Sequence, residues 1–116
     1  VASFKYFNVS TDSAVEITAK DTVDLSNLTN KITGPPQYVT ICNNDASGDE
    51  CTVDLFLENT ALTVSNVSIL HDVVIPGGST LVLEPPELNY DSTVYALKFK
   101  LTSVTSSQLV DIKVQY

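Results

Sequence analysis

The chain has 116 residues, 43% of them hydrophobic, with 14 acidic against 6 basic side chains and a formal charge of -8. That length suits one domain around one core. The absence of arginine, the scatter of Lys5, Lys20, Lys31, Lys98, Lys100 and Lys113, and the negative balance argue against nucleic acid as a partner, and no apolar run approaches the ~20 residues of a membrane-spanning helix.

At the N-terminus, VASFKYFNVSTDSAVE has no basic start followed by an apolar stretch, so no targeting segment is expected. The chain lacks methionine and begins at Val1, which reads as removal of an initiator and a complete cytoplasmic product. Phe4 to Val9 and Ala14 to Ala19 alternate only roughly and are predicted as short strands at the periphery. Residues 20–37 are poorer in large apolar side chains and end in Gly34, Pro35 and Pro36, which predicts a long connection with one helical turn near Leu25.

From Tyr38 the pattern is stronger. Tyr38 to Asn43, Cys51 to Glu58, Leu62 to Leu70, Thr80 to Glu84, Thr93 to Thr102 and Gln108 to Gln115 follow one another at all-β spacing, rich in Val, Thr, Ile and Tyr. Tyr95, Leu97, Phe99 and Leu101 take one face of a strand, and Ala96, Lys98 and Lys100 the other. Pro76-Gly77-Gly78 and Pro85-Pro86 read as corners, since neither a helix nor a basic residue follows to make them a phosphate site. The expected fold is all-β: a single antiparallel β-sandwich, jelly-roll or Ig-like, of about 6–8 strands, with residues 1–37 peripheral and 38–116 the core.

Residues able to carry chemistry are few. Cys42 and Cys51 bracket the acidic loop NNDASGDE, and a bridge closing so short a loop would add about 2–3 kcal/mol. Alternation puts Cys42 outward with the core face on Val39 and Ile41, while Cys51 shares the face of Val53 and Leu55. A disulfide therefore needs a bulge or strands in opposite sheets, and two free thiols are the alternative. The same loop partly imitates a calcium loop through Asn43, Asp45, Ser47 and Gly48, with Asp54 closing it, although the closing residue is not a bidentate Glu and strands replace the flanking helices.

His71 is the only histidine, and its neighbour Asp72 would point to the opposite face of a strand. With no nucleophile motif nearby, it reads as an exposed turn residue, and no catalytic residue, cofactor or metal is expected. Sequons at Asn8, Asn27 and Asn66 match what chance gives in a chain this rich in Asn, Ser and Thr. Tyr6, Phe7, Phe56, Tyr90, Tyr95 and Tyr116 are the aromatics that exposure would make notable, and Phe56 leads them: it sits among Thr52, Asp54 and Glu58, opposite the Val53 face, so either the N-terminal segment covers it or it is an interface residue.

Three phrases carry a resemblance. Cys42-Asn43 at a strand end, IPGGSTLVL from Ile75 to Leu83, and Tyr95-Ala96-Leu97-Lys98 together resemble small β-sandwich structural proteins of tailed phages, of marine and cyanobacterial type, over about the last two-thirds of the chain. The resemblance implies a non-enzymatic virion protein, foremost a capsid decoration protein bound to the major capsid protein, assembled in the host cytoplasm and homo-oligomeric, a trimer being one form. A phage head-tail, neck or tail accessory protein is one alternative. An extracellular adhesion or carbohydrate-binding sandwich is another, and a small hydrolase using His71 is the least supported.

Overall fold

A computed structural model describes residues 2–20, 32–59, 66–104 and 108–116. Within them lie nine strands and no helix: β1 (Phe4–Val9), β2 (Val15–Ala19), β3 (Ile32–Thr33), β4 (Tyr38–Asn43), β5 (Cys51–Glu58), β6 (Asn66–Ile75), β7 (Thr80–Leu83), β8 (Ala96–Leu101) and β9 (Val110–Gln115). They form a sandwich of two sheets, ordered β1-β9-β4-β7 and β3-β2-β8-β5-β6. All pairings are antiparallel except the two-residue β3, which runs parallel to β2. The helical turn expected near Leu25 and the start of the strand expected from Leu62 fall outside the described residues.

Alternation builds the core. In β5 every second side chain, Cys51, Val53, Leu55 and Leu57, is buried, and their cross-strand neighbours Leu97, Phe99 and Leu101 on β8 are fully enclosed. Val39 and Ile41 of β4 and Val110, Ile112 and Val114 of β9 supply the facing layer. Each such side chain contributes about 1.5–3 kcal/mol of transfer free energy, so the inward stripes dictate which sheet face is hidden.

The corners fall where the glycines and prolines stand. Asn43 and the Pro76–Ser79 turn exchange backbone hydrogen bonds, Asn43 N to Ser79 O at 3.0 Å and Gly78 N to Asn43 O at 2.9 Å, and Gly78 takes φ +77°. A β-carbon on Gly77 would collide with the backbone of Gly48, so glycine there lets the β4–β5 and β6–β7 loops pack together. Beyond β7, Leu88 is fully buried and the Tyr90 hydroxyl meets Thr18 Oγ1 at 2.5 Å. In the exposed turn that follows, the Thr93 hydroxyl and amide donate to Asp91 and hold its carboxyl below the usual range.

The N-terminal third is not uniformly peripheral. β1 is an edge strand, but β2 lies between β3 and β8 with Ile17, Thr18 and Ala19 buried. A register shift between Glu16 and Thr18 lets the Thr18 hydroxyl accept the Leu97 N–H at 3.2 Å, satisfying a polar residue inside the core.

Candidate interaction surface

The registers of β1, β9, β4 and β7 assemble the outer face of the four-stranded sheet in rows: Phe4, Gln115 and Tyr38; Tyr6, Lys113, Thr40 and Val82; Asn8, Asp111, Cys42 and Thr80. Phe4, Tyr38 and Val82 are each about half exposed, and Tyr6 is 68% exposed. Asp111 and Lys113 are the only ionisable charges in these rows. Asp111 is engaged by Asn8 Nδ2 at 2.6 Å and Asn44 Nδ2 at 3.3 Å, while Lys113 Nζ lies 5.9 Å from the Phe4 ring centroid.

Tyr6 is a ridge between two hollows. One, of about 370 Å³, is lined by Asn8, Thr40, Cys42, Asp111 and Lys113 as well as Tyr6. The other, of about 300 Å³, is formed by Phe4, Lys5, Tyr6 and Tyr116 at the free end of β1. Exposed aromatic surface, shallow relief and few charges thus meet on this one face.

The opposite outer face is different. Glu16, Lys98, Phe56 and Ser68 make one row of the five-stranded sheet, with Lys100 and Asp54 adjoining. Lys98 Nζ pairs with Glu58 at 2.8 Å. Phe56 is half-buried between Lys98 and Ser68; β1 belongs to the other sheet, and β2 of this sheet pairs with β8 rather than with β5. Exposed apolar side chains of this sheet are Val67 and Val74, both on its edge strand β6.

His71 lies in β6 rather than in a turn, and it is exposed as expected. The expectation that Asp72 points away from it is corrected. Asp72 adopts φ +51° within a shift of the β5–β6 register, and its carboxylate comes to 3.4 Å from His71 Nε2 while Asp54 stands 3.6 Å from Nδ1. Asp54 Oδ1 also accepts the Asp72 N–H at 2.7 Å. These three side chains are the one group of three metal-ligand types that converges among the described residues. His71 has most of its ring in solvent, outside the two hollows.

The calcium-loop ligands do not converge. Asn43 is fully buried, its amide donating to Asp49 O and Ile75 O and accepting the Asp45 N–H; Asp45 Oδ2 accepts the N–H groups of Ser47 and Asp49. These side chains brace the loop backbone, and Asp54 stands on the outer face of β5 beside His71. Two buried polar atoms at this end of the sandwich, Asp45 Oδ1 and Gln108 Nε2, have no hydrogen-bond partner among the described residues.

The disulfide considered between Cys42 and Cys51 is not formed: both thiols are free. The strands do lie in opposite sheets, but Cys42 points outward into the larger hollow while Cys51 is sealed in the core. Burial pushes the Cys51 thiol above its ordinary value, and the negative charge of Asp45 adds to the push. Of the sequons, Asn8 and Asn66 are exposed, and Asn27 lies outside the described residues.

Comparison with known protein families, curated proteins and solved structures finds no match to this chain. The sequence singles out Tyr6 but not the face around it, because the face is a cross-strand feature. Tyr6, Lys113, Thr40 and Val82 are far apart in the chain, and only the register aligns them. A usable signal existed in Phe4 and Tyr6 on one face of an N-terminal strand.

Proposed function

We propose that this chain is a non-enzymatic virion structural protein that decorates the capsid of a tailed phage, docking on the major capsid protein through the outer face of its four-stranded sheet. The observation that supports docking is the gathering of three exposed aromatic side chains, Phe4, Tyr6 and Tyr38, with Val82 on that one face, where the other sheet, among its described large apolar side chains, exposes only the valines Val67 and Val74 of its edge strand. In a chain of charge -8, this is a nearly uncharged area. Burying it removes apolar surface from water at about 25 cal/mol per Å², with Tyr6 the natural anchor because tyrosine gives large contact area at low entropic cost. The acidic groups elsewhere keep the free protein soluble. The partner is inferred from the resemblance of Cys42-Asn43, Ile75 to Leu83 and Tyr95 to Lys98 to phrases of phage structural proteins.

Electron microscopy of particles tests this reading. Density for the chain at symmetry-related capsid positions, with the β1-β9-β4-β7 sheet turned toward the shell, is the expected result. Density confined to the neck or tail moves the protein to an accessory role. A particle without the chain, together with selective binding on a glycan array, transfers the same aromatic face to carbohydrate recognition and rejects the virion reading.

A further inference from the structure

The sandwich has four strand edges among its described residues, and three of them are blunted. β3 has two residues, β7 has four and is followed by Pro85 and Pro86, and β6 is broken by the left-handed Asp72 and carries charge there. Short, bulged or charged edges resist pairing with another chain. β1 is unlike them. It runs six residues in unbroken register with β9, contains no proline or bulge, and lies in a stretch where the first carboxylate is Asp12.

Its free backbone groups can be assigned. Ser3 and Tyr116 exchange both hydrogen bonds at 2.9 Å, so they form a hydrogen-bonded pair of the β1–β9 ladder. Alternation then turns the N–H and C=O groups of Phe4, Tyr6 and Asn8 away from β9, toward the open edge. We propose that this edge pairs with the same edge of a second copy, antiparallel, about a two-fold axis through Tyr6.

That register is the one that uses every open group while keeping outward side chains outward. Tyr6 faces Tyr6, Phe4 faces Asn8, and Lys5 faces Phe7. Within one chain Lys5 Nζ already lies 5.6 Å from the Phe7 ring centroid, so the cross-copy pair repeats a contact these side chains make. No like charges stand opposite each other. Aromatic residues directly across an antiparallel pair are a stabilising arrangement, and a two-fold edge contact is self-complementary by construction. The product is one continuous sheet, β7-β4-β9-β1-β1-β9-β4-β7, which places two aromatic faces side by side on the same surface. The inference rests on the edge alone and holds whatever that face binds.

Sedimentation velocity from micromolar to millimolar protein tests it. Conversion to a species of twice the 12.5 kDa chain mass is expected. Added salt should strengthen it by screening the repulsion between two acidic chains. Tyr6→Pro removes an N–H that β9 does not use, and Tyr6→Glu sets two carboxylates face to face on the axis. Each should weaken association at least about tenfold, with circular dichroism confirming that the variant is folded. In a Cys42→Ser background, Tyr6→Cys should cross-link under mild oxidation, since residues of such a pair have Cα atoms about 5.5 Å apart; Lys5→Cys, which would face Phe7, should not. A monomer at every concentration overturns the inference, as does a dimer indifferent to Tyr6→Glu. A monomer that still binds particles overturns this inference alone and leaves the docking face standing.

Discussion

On the four-stranded sheet the outward positions hold Phe4, Tyr6, Tyr38 and Val82 with one lysine and one aspartate, whereas on the five-stranded sheet they hold Glu16, Asp54, Glu58, Lys98 and Lys100 around a half-buried Phe56, with Val74 on the edge strand. Both faces arise from the same period-two alternation over the same shared core. Their difference lies in how their side chains are satisfied. The charged face pairs within itself, Lys98 with Glu58 and Asp54 with the Asp72 N–H and His71. The aromatic face leaves apolar area that no described residue covers.

Breaking both faces together should give the largest effect. Phe99 is fully buried on β8 opposite Val15 and Leu55, so Phe99→Ala should cost about 3–5 kcal/mol through the cavity it leaves, visible as a large fall in the denaturation midpoint. Separating the faces comes next. Tyr6→Ala should weaken capsid binding by about 2 kcal/mol, roughly thirtyfold, while changing unfolding free energy by no more than about 0.5 kcal/mol, as titration and urea denaturation would show.

The reverse pattern is expected on the charged face. Asp54→Asn weakens the hydrogen bond to the Asp72 N–H and should lower stability by about 1 kcal/mol, with capsid affinity unchanged. Equal losses of affinity from Tyr6→Ala and Asp54→Asn would erase the distinction between the faces.

The smallest effect sharpens the contrast between outside and inside. Because the folded Cys51 pKa is raised above its ordinary value of 9.0, its contribution to stability is fully present below that value and is lost as pH rises toward the folded pKa. A Cys51→Val variant should show a shallower alkaline loss of stability than the native chain. Under native conditions a thiol reagent should modify Cys42 on the outer face and leave Cys51 unreacted until the chain unfolds.

Much of the fold was legible from local pattern. β4, β5, β7, β8 and β9 follow alternation that a short window contains, β1 follows it more roughly, and Pro76-Gly77-Gly78 marks the corner between β6 and β7; β6, expected to end at Leu70, runs on to Ile75 because its shifted edge register leaves no alternating stripe to mark its length. The core role of β2 was hidden because VEITA is short and its buried Thr18 is polar, satisfied only by the distant Leu97 N–H. Asp72 was misplaced because a strand pattern carries no sign of a left-handed residue, which turns its side chain to the side of its neighbour. Opposite faces for Cys42 and Cys51 were readable from alternation, whereas their separation into free thiols needed the sheet assignment. Phe56 drew attention as an isolated aromatic among polar neighbours. Tyr6 ranked below it, because its significance depends on Lys113, Thr40 and Val82 reaching it across three strand pairings.

Tyr6 and Phe56 therefore divide the two faces between them. Co-sedimentation with capsids assembled without this chain, using the native protein, Tyr6→Ser and Phe56→Ser side by side, tests the docking face most directly. The predicted result is native-like occupancy for Phe56→Ser and loss of binding for folded Tyr6→Ser; full binding by Tyr6→Ser with loss in Phe56→Ser would contradict it.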